Sequence, residues 1–214
     1  MNSIRQIRLG ARNLDEVRAF YCETLGFQPL VCHEQSVAFE VGDGTVVFDS
    51  NKEQGQYHFA FNVEYGRLTE LYALFAARLR VIPVGDDAFA RFDNWKARAF
   101  YFLDPAGNIV EFIERAELGR QGDRRGIVGI GEIGLATEDV STTSEELRKY
   151  FGLSTFRGTS SSDFEAIGDE NALLIVVREG RVWFPTEDEK ASRASVEFTW
   201  IDRLGQELKF ATAQ

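Results

Sequence analysis

Three polar side chains stand inside strand-like, largely apolar runs. His58 lies between Tyr57 and Phe59, Glu111 between Val110 and Phe112, and Gln6 in a segment flanked by Ile4 and Ile7. A polar or charged group on a buried strand face needs a partner, because desolvation without one is costly. The choice of partner is narrowed by scarcity. The 214-residue chain has two histidines, His33 and His58, and two cysteines, Cys22 and Cys32. A zinc finger, a three-imidazole centre and a disulfide scaffold are therefore disfavoured. Any metal site must lean on carboxylates, amides and at most two imidazoles. The two cysteines have no redox spacing and read as inert.

The elements that position these residues follow from a repeat. Shifted by 126 residues, the start of the chain falls on its second half: Ile4 meets Ile130, Ile7 meets Ile133, Gly26 meets Gly152 and Asp43 meets Asp169. Within one unit, residues 4–11 alternate as a strand does. Asn13 followed by Glu16 is a capping-box signal, and Leu14, Val17, Tyr21 and Leu25 recur at helical spacing. Gly26 supplies a helix stop, since glycine takes the left-handed conformation cheaply. Three short strands follow at 27–32, 36–41 and 45–49, the last two joined at Asp43-Gly44. The order is β-α-β-β-β. It returns from residue 56, with a helix over 67–79 and strands near 80–84, 97–103 and 108–114. It returns again at Ile127, and a fourth time near Ala194, where a strand and a helix-like tail are expected.

The fold class is therefore α+β, built from tandem βαβββ modules. Residues 1–115 are expected to form one domain of modules 4–50 and 56–115. Residues 116–126, in the polar stretch RAELGRQGDRRG that opens at Arg115, read as a linker. Residues 127–214 hold a third module (127–184) and a truncated fourth (192–214). Hydrophobic residues at 44%, with 18 phenylalanines, are ample for a packed core. A net charge of −10 argues against nucleic acid or an anionic membrane as partner. No apolar run reaches the roughly 18 residues needed to span a bilayer, and MNSIRQIRLG lacks the apolar core of a signal peptide. A cytoplasmic protein acting on a small molecule is the expectation.

The opening strand, NLDEVRAFYCETLGF (13–27), YHFAFNVE (57–64) and above all AFYFLDPAGNIVEFIER (99–115) resemble the vicinal oxygen chelate superfamily. That superfamily includes glyoxalase I, epimerases, extradiol dioxygenases, fosfomycin-resistance proteins and metal-free bleomycin-binding proteins. The resemblance implies two modules, the first and second here, curled into a half-open barrel around one divalent ion. Carried over position by position, it implies Gln6, His58 and Glu111 as ligands for Mn, Fe, Co, Ni or Zn. The fourth ligand position falls on Phe48, which cannot bind a metal.

In the second half Glu132 matches Gln6, Ser195 matches His58 when Phe198 is set against Phe61, and Leu174 matches Phe48. That half is expected to be structural, with an open sheet edge that a second copy of the chain would cover. Phe48, Phe92, Trp95 and Phe100 would line the substrate pocket, or simply pack. His33 and Tyr101 are candidate acid–base groups, with a surface imidazole and a packed tyrosine as the alternatives; Tyr57 is a further hydroxyl of the same kind. The implied function is a metal-dependent lyase, isomerase or epimerase acting on neighbouring substrate oxygens. An extradiol dioxygenase and a metal-free drug binder are the alternatives.

Overall fold

The computed structural model describes residues 1–212, apart from the side chains of Val31 and Cys32. The reading of Cys32 as inert, and the last two residues of the fourth module, lie outside the described residues. The first module runs β1 (Ser3–Gly10), α1 (Leu14–Ala19) continuing as a wider turn through Thr24, β2 (Gln28–His33), β3 (Ser36–Val41) and β4 (Gly44–Asp49). The second runs β5 (His58–Val63), α2 (Leu68–Phe75), β6 (Arg80–Ile82), β7 (Ala90–Phe92), β8 (Ala97–Leu103) and β9 (Ile109–Arg115). The third holds β10 (Ile127–Thr137), α3 (Val140–Phe151), β11 (Thr155–Ser160), β12 (Phe164–Asp169) and β13 (Ala172–Arg178). The fourth holds β14 (Glu197–Ile201) and β15 (Glu207–Ala211).

Local signals place the punctuation. Asn13 caps α1 by accepting from the Glu16 N–H, while its own amide donates to the Glu16 carboxylate. Gly26 sits at φ +68°. The hairpin between β3 and β4 turns one residue earlier than expected: Val41 pairs with Gly44, so Gly42 and Asp43 are the central residues and Gly42 takes φ +57°. The Asp-Pro-x-Gly-Asn segment between β8 and β9 is a buried hydrogen-bonded knot. Asp104 accepts from the N–H groups of Ala106 and Asn108, the Asn108 amide and the Tyr21 hydroxyl. The expected helical tail is a strand instead. Asp202 accepts from the N–H groups of Leu204 and Gln206 and closes a turn that sends residues 207–211 back along β14.

The modules pair differently from the expectation. β5 lies antiparallel to β10, joining module two to module three. β1 lies antiparallel to β14, joining module one to module four. A single paired position, Ile4 with Ile130, stitches β1 to β10. The chain thus forms two half-barrels, an inner one from modules two and three and an outer one from modules one and four. Strand alternation then divides each strand between two layers. Phe59, Phe61, Phe100, Phe102, Val110 and Phe112 face the helices and form the larger core. Ala60, Ala99, Tyr101, Ile109, Ile113 and Leu173 line the concave side of the inner half-barrel. Alanines on that side leave room above the sheet. Among the described residues no helix is long and apolar enough to cross a membrane.

Candidate metal centre

On the concave face, β5 points His58, Ala60 and Asn62 inward, and β9 points Ile109, Glu111, Ile113 and Arg115 inward. The register sets Glu111 opposite both Ala60 and Tyr101, and Ala60 opposite Glu132 of β10. One histidine and two glutamates from three neighbouring strands therefore converge. Their ligand atoms all lie within 4.8 Å of one another. His58 Nε2 is 3.5 Å from a Glu111 oxygen and 3.9 Å from a Glu132 oxygen. His58 is 6% exposed, Glu111 2% and Glu132 2%.

The hydrogen bonds around the cluster favour a cation between these groups. His58 Nδ1 stands 3.2 Å from the Ile109 carbonyl oxygen, so the proton belongs on Nδ1. Nε2 then faces the Glu111 and Glu132 carboxyl groups, an arrangement that a positive charge in the middle would stabilise. Donor atoms about 2.1 Å from a tetrahedral ion stand roughly 3.4 Å apart, close to the spacings seen. A backbone carbonyl accepting from the other ring nitrogen is also the usual support for a metal-binding imidazole. Burial, with Glu132 nearby, pushes the Glu111 carboxyl well above the usual carboxylate range; Arg115 and the Tyr101 hydroxyl pull the other way. Burial, then Glu111 and Glu132, raises the Tyr101 hydroxyl well above its ordinary value. Tyr101 stands opposite Glu111 across the β8–β9 pair, and its hydroxyl, kept protonated, is a donor in this setting.

A cleft of about 380 Å³ opens onto the cluster. Phe92, Trp95 and Tyr101 come from module two, and Phe164, Trp183 and Phe184 from module three and the segment after it. Trp183 lies against His58 with ring centroids 5.1 Å apart, and Phe184 meets Tyr101 at 5.8 Å. Gly134 permits this: a Cβ there would stand 2.7 Å from the Trp183 ring.

Of the residues singled out from sequence, His58, Glu111, Tyr101, Phe92 and Trp95 come together. Gln6 does not join them. It pairs with Thr45 and Thr199 in the outer half-barrel and lines a different cleft with Phe198 and Lys209. Glu132, assigned to a structural half, occupies the place expected of Gln6, because β10 rather than β1 lies beside β5. Phe48 and Phe100 are fully buried on the helix-facing side, one residue out of phase with the concave face. His33 is exposed near Asn13 and Ser36, away from the cluster. Tyr57 has its hydroxyl between Gly10 N–H and the Ser195 carbonyl, a joint between modules. The pairing also shifts the internal alignment. Phe59 faces Ile133 and Phe198 faces Ile7, so Glu197, not Ser195, corresponds to His58. Several contributors escaped the sequence reading, among them Arg115, Phe164, Trp183 and Phe184. Arg115 had a signal, since it continues the 109, 111, 113 alternation.

No family model matches the chain. Metallothiol transferase FosB of Shouchella clausii (strain KSM-K16) is 26% identical over 121 residues, which cover 52% of this chain and 79% of that protein. Glyoxalase I of Zea mays superposes with a TM-score of 0.58 over 99% of this chain and 92% of its own, at 14% identity. A Bacillus subtilis protein, provisionally described as a dioxygenase, does so with a TM-score of 0.62 over 98% and 84%, at 15% identity. The fold is that of the vicinal oxygen chelate superfamily, which the AFYFLDPAGNIVEFIER motif resembles. At such identities the two structures speak for the fold alone.

Proposed function

We propose that the chain is a metal-dependent enzyme of the vicinal oxygen chelate type, in which His58, Glu111 and Glu132 hold one divalent ion. A small substrate would enter through the aromatic cleft and present two neighbouring oxygens. The observation that carries this is the buried convergence of one imidazole and two carboxylates, with the imidazole's free nitrogen turned toward both acids. The metal in the name of the FosB relative supports it. A bound ion of the Mn, Fe, Co, Ni or Zn kind would supply Lewis-acid polarisation of those oxygens.

The chain's own groups do the rest. Trp183 and Phe92 limit water at the cleft, and the strands fix the three ligands before substrate arrives. Tyr101, protonated in its buried setting, is placed to donate a hydrogen bond to a substrate oxygen that gains negative charge. This supports a lyase, isomerase or epimerase reaction that passes through an oxyanion. One imidazole with two carboxylates departs from the two-histidine, one-carboxylate triad of ring-cleaving oxygenases. Burial of three ionisable groups around one point gives a metal-free binder no advantage. We also propose that a second copy covers the free edge of β15; a clean monomer in solution would sink that idea.

Metal analysis of protein purified without chelator tests the central reading. Wild type should carry one ion per chain and His58→Ala almost none. Wild type that stays metal-free under loading with each of the five ions would overturn it.

A further inference from the structure

Arg115 is fully buried, and nothing in the proposed chemistry so far uses it. One arm of its guanidinium donates to Glu132 Oε1 and the other to Asn62 Oδ1, while its Nε has no hydrogen-bond partner. Asn62 is itself oriented, because its amide donates to the Asn171 carbonyl at 2.8 Å. Gly131 allows the approach: a Cβ there would stand 2.3 Å from Asn62 Oδ1. A hydrogen-bonded line therefore runs from Asn171 through Asn62 and Arg115 to Glu132, across both modules. Of the two Glu132 oxygens, Oε1 is engaged by Arg115, and Oε2 faces His58.

Burying a guanidinium is costly before its pairing is counted, and an apolar residue often serves stability as well. Its presence changes the charge at the site. With His58 neutral, Glu111 and Glu132 ionised as ligands must be, and Arg115 positive, the groups sum to minus one. A divalent ion brings the sum to plus one; without Arg115 it would be zero. In a water-poor cleft an unbalanced positive charge attracts one negative charge strongly.

Building on the metal reading, we propose that Arg115 is a positioning residue that confines Glu132 to one oxygen toward the ion. It leaves the loaded site with a single excess positive charge, and so selects ligands that bind as monoanions through two neighbouring oxygens.

The test uses Co(II)-loaded wild type, Arg115→Met and Arg115→Lys, with acetohydroxamate as the monoanionic probe and hydroxyacetone as the neutral one. The ratio of the two affinities should fall by about tenfold or more in Arg115→Met, a change of roughly 1.4 kcal/mol. Co(II) affinity should hold or rise. The visible Co(II) spectrum should change, because the second Glu132 oxygen is released. Arg115→Lys keeps the charge but not the fork, so it should keep the hydroxamate preference while showing the altered spectrum. An Arg115→Met protein with the wild-type ratio and spectrum would overturn the proposal, as would one that is folded but loses Co(II) and probe together. Should Arg115→Met fail to fold, an Arg115→Lys spectrum identical to wild type overturns it alone. Wild type that takes up no Co(II) brings down the metal reading and this one with it. Wild type that takes up Co(II) but shows no dependence on Arg115 brings down only this one.

Discussion

The inner and outer half-barrels are built from the same module, yet among the described residues only the inner one gathers a buried set of metal-ligand side chains. In the inner one, His58 and Glu132 face each other from β5 and β10, and β9 adds Glu111. In the outer one, the corresponding first-strand positions are Glu197 and Gln6. Glu197 is turned to the surface and paired with Lys52. The counterpart of Glu111 would lie on the last strand of module four, of which the described residues hold only two strands. The lesson is that a ligand set of this kind belongs to a pair of modules. A first-strand polar residue joins such a set only where a partner module's first strand and a ligand-bearing last strand converge with it, as β10 and β9 do with β5.

Four measurements can break or sharpen this contrast. Phe48→Ala, in the core of the outer half-barrel, should cost about 3–5 kcal/mol of unfolding free energy and leave metal uptake unchanged. Chemical denaturation and metal analysis on the same preparation check both halves of the statement, and loss of metal would show that the two half-barrels are not separable. His58→Ala should weaken metal binding by more than the roughly 10–100-fold that outer-shell changes produce, whereas Gln6→Ala should have no effect; calorimetric titration decides. An equal loss in both variants would restore the first-module site.

Glu111→Gln should abolish tight metal binding yet stabilise the metal-free protein at neutral pH. Because burial raises the folded-state pKa of Glu111, its favourable contribution is present below the ordinary carboxylate range and is lost as pH rises through the raised value. The variant's advantage in thermal midpoint should therefore close in acid. Each kcal/mol gained reads as about 2–4 °C for a chain of this size. Metal binding by wild type should weaken over the same interval on acidification, since the ligand must lose its proton. The smallest effect is expected of Lys52→Ala, which removes a half-exposed ion pair with Glu197 and should cost about 0.2–1 kcal/mol. A metal-binding change there would be evidence of chemistry in the outer half-barrel.

Much of the fold is legible in the chain because its signals are local. Asn13 with Glu16, Gly26 and the Asp104–Asn108 turn each act within a few residues, and strand alternation needs only neighbours. His58 and Glu111 could be picked out for the same reason, as polar residues in apolar runs. Glu132 carries that signal too, inside IVGIGEIGLA. What local pattern does not decide is which first strand lies beside β5. That choice depends on long-range packing, and it exchanges Gln6 for Glu132. Phe48 and Phe100 show a second limit: hydrophobicity marks a residue for burial without naming the side of the sheet. Arg115 shows a third. Its charge and the polar stretch after it suggest a linker, while its phase along β9 puts it inside.

The two half-barrels also differ in how far the chain must travel to close them. Modules two and three are successive along the sequence, joined by one short connection between β9 and β10, whereas Ile4 must find Trp200 across nearly the whole chain. Entropy of loop closure and contact order both favour the nearer pairing. During synthesis, then, the inner half-barrel can assemble while β14 is still unmade, and β1 must wait with an unpaired edge. Pulse-labelled hydrogen exchange on refolding should protect the amides of β5 and β10 before those of β1. The reverse order would mean that the chain's ends, not its middle, organise the fold.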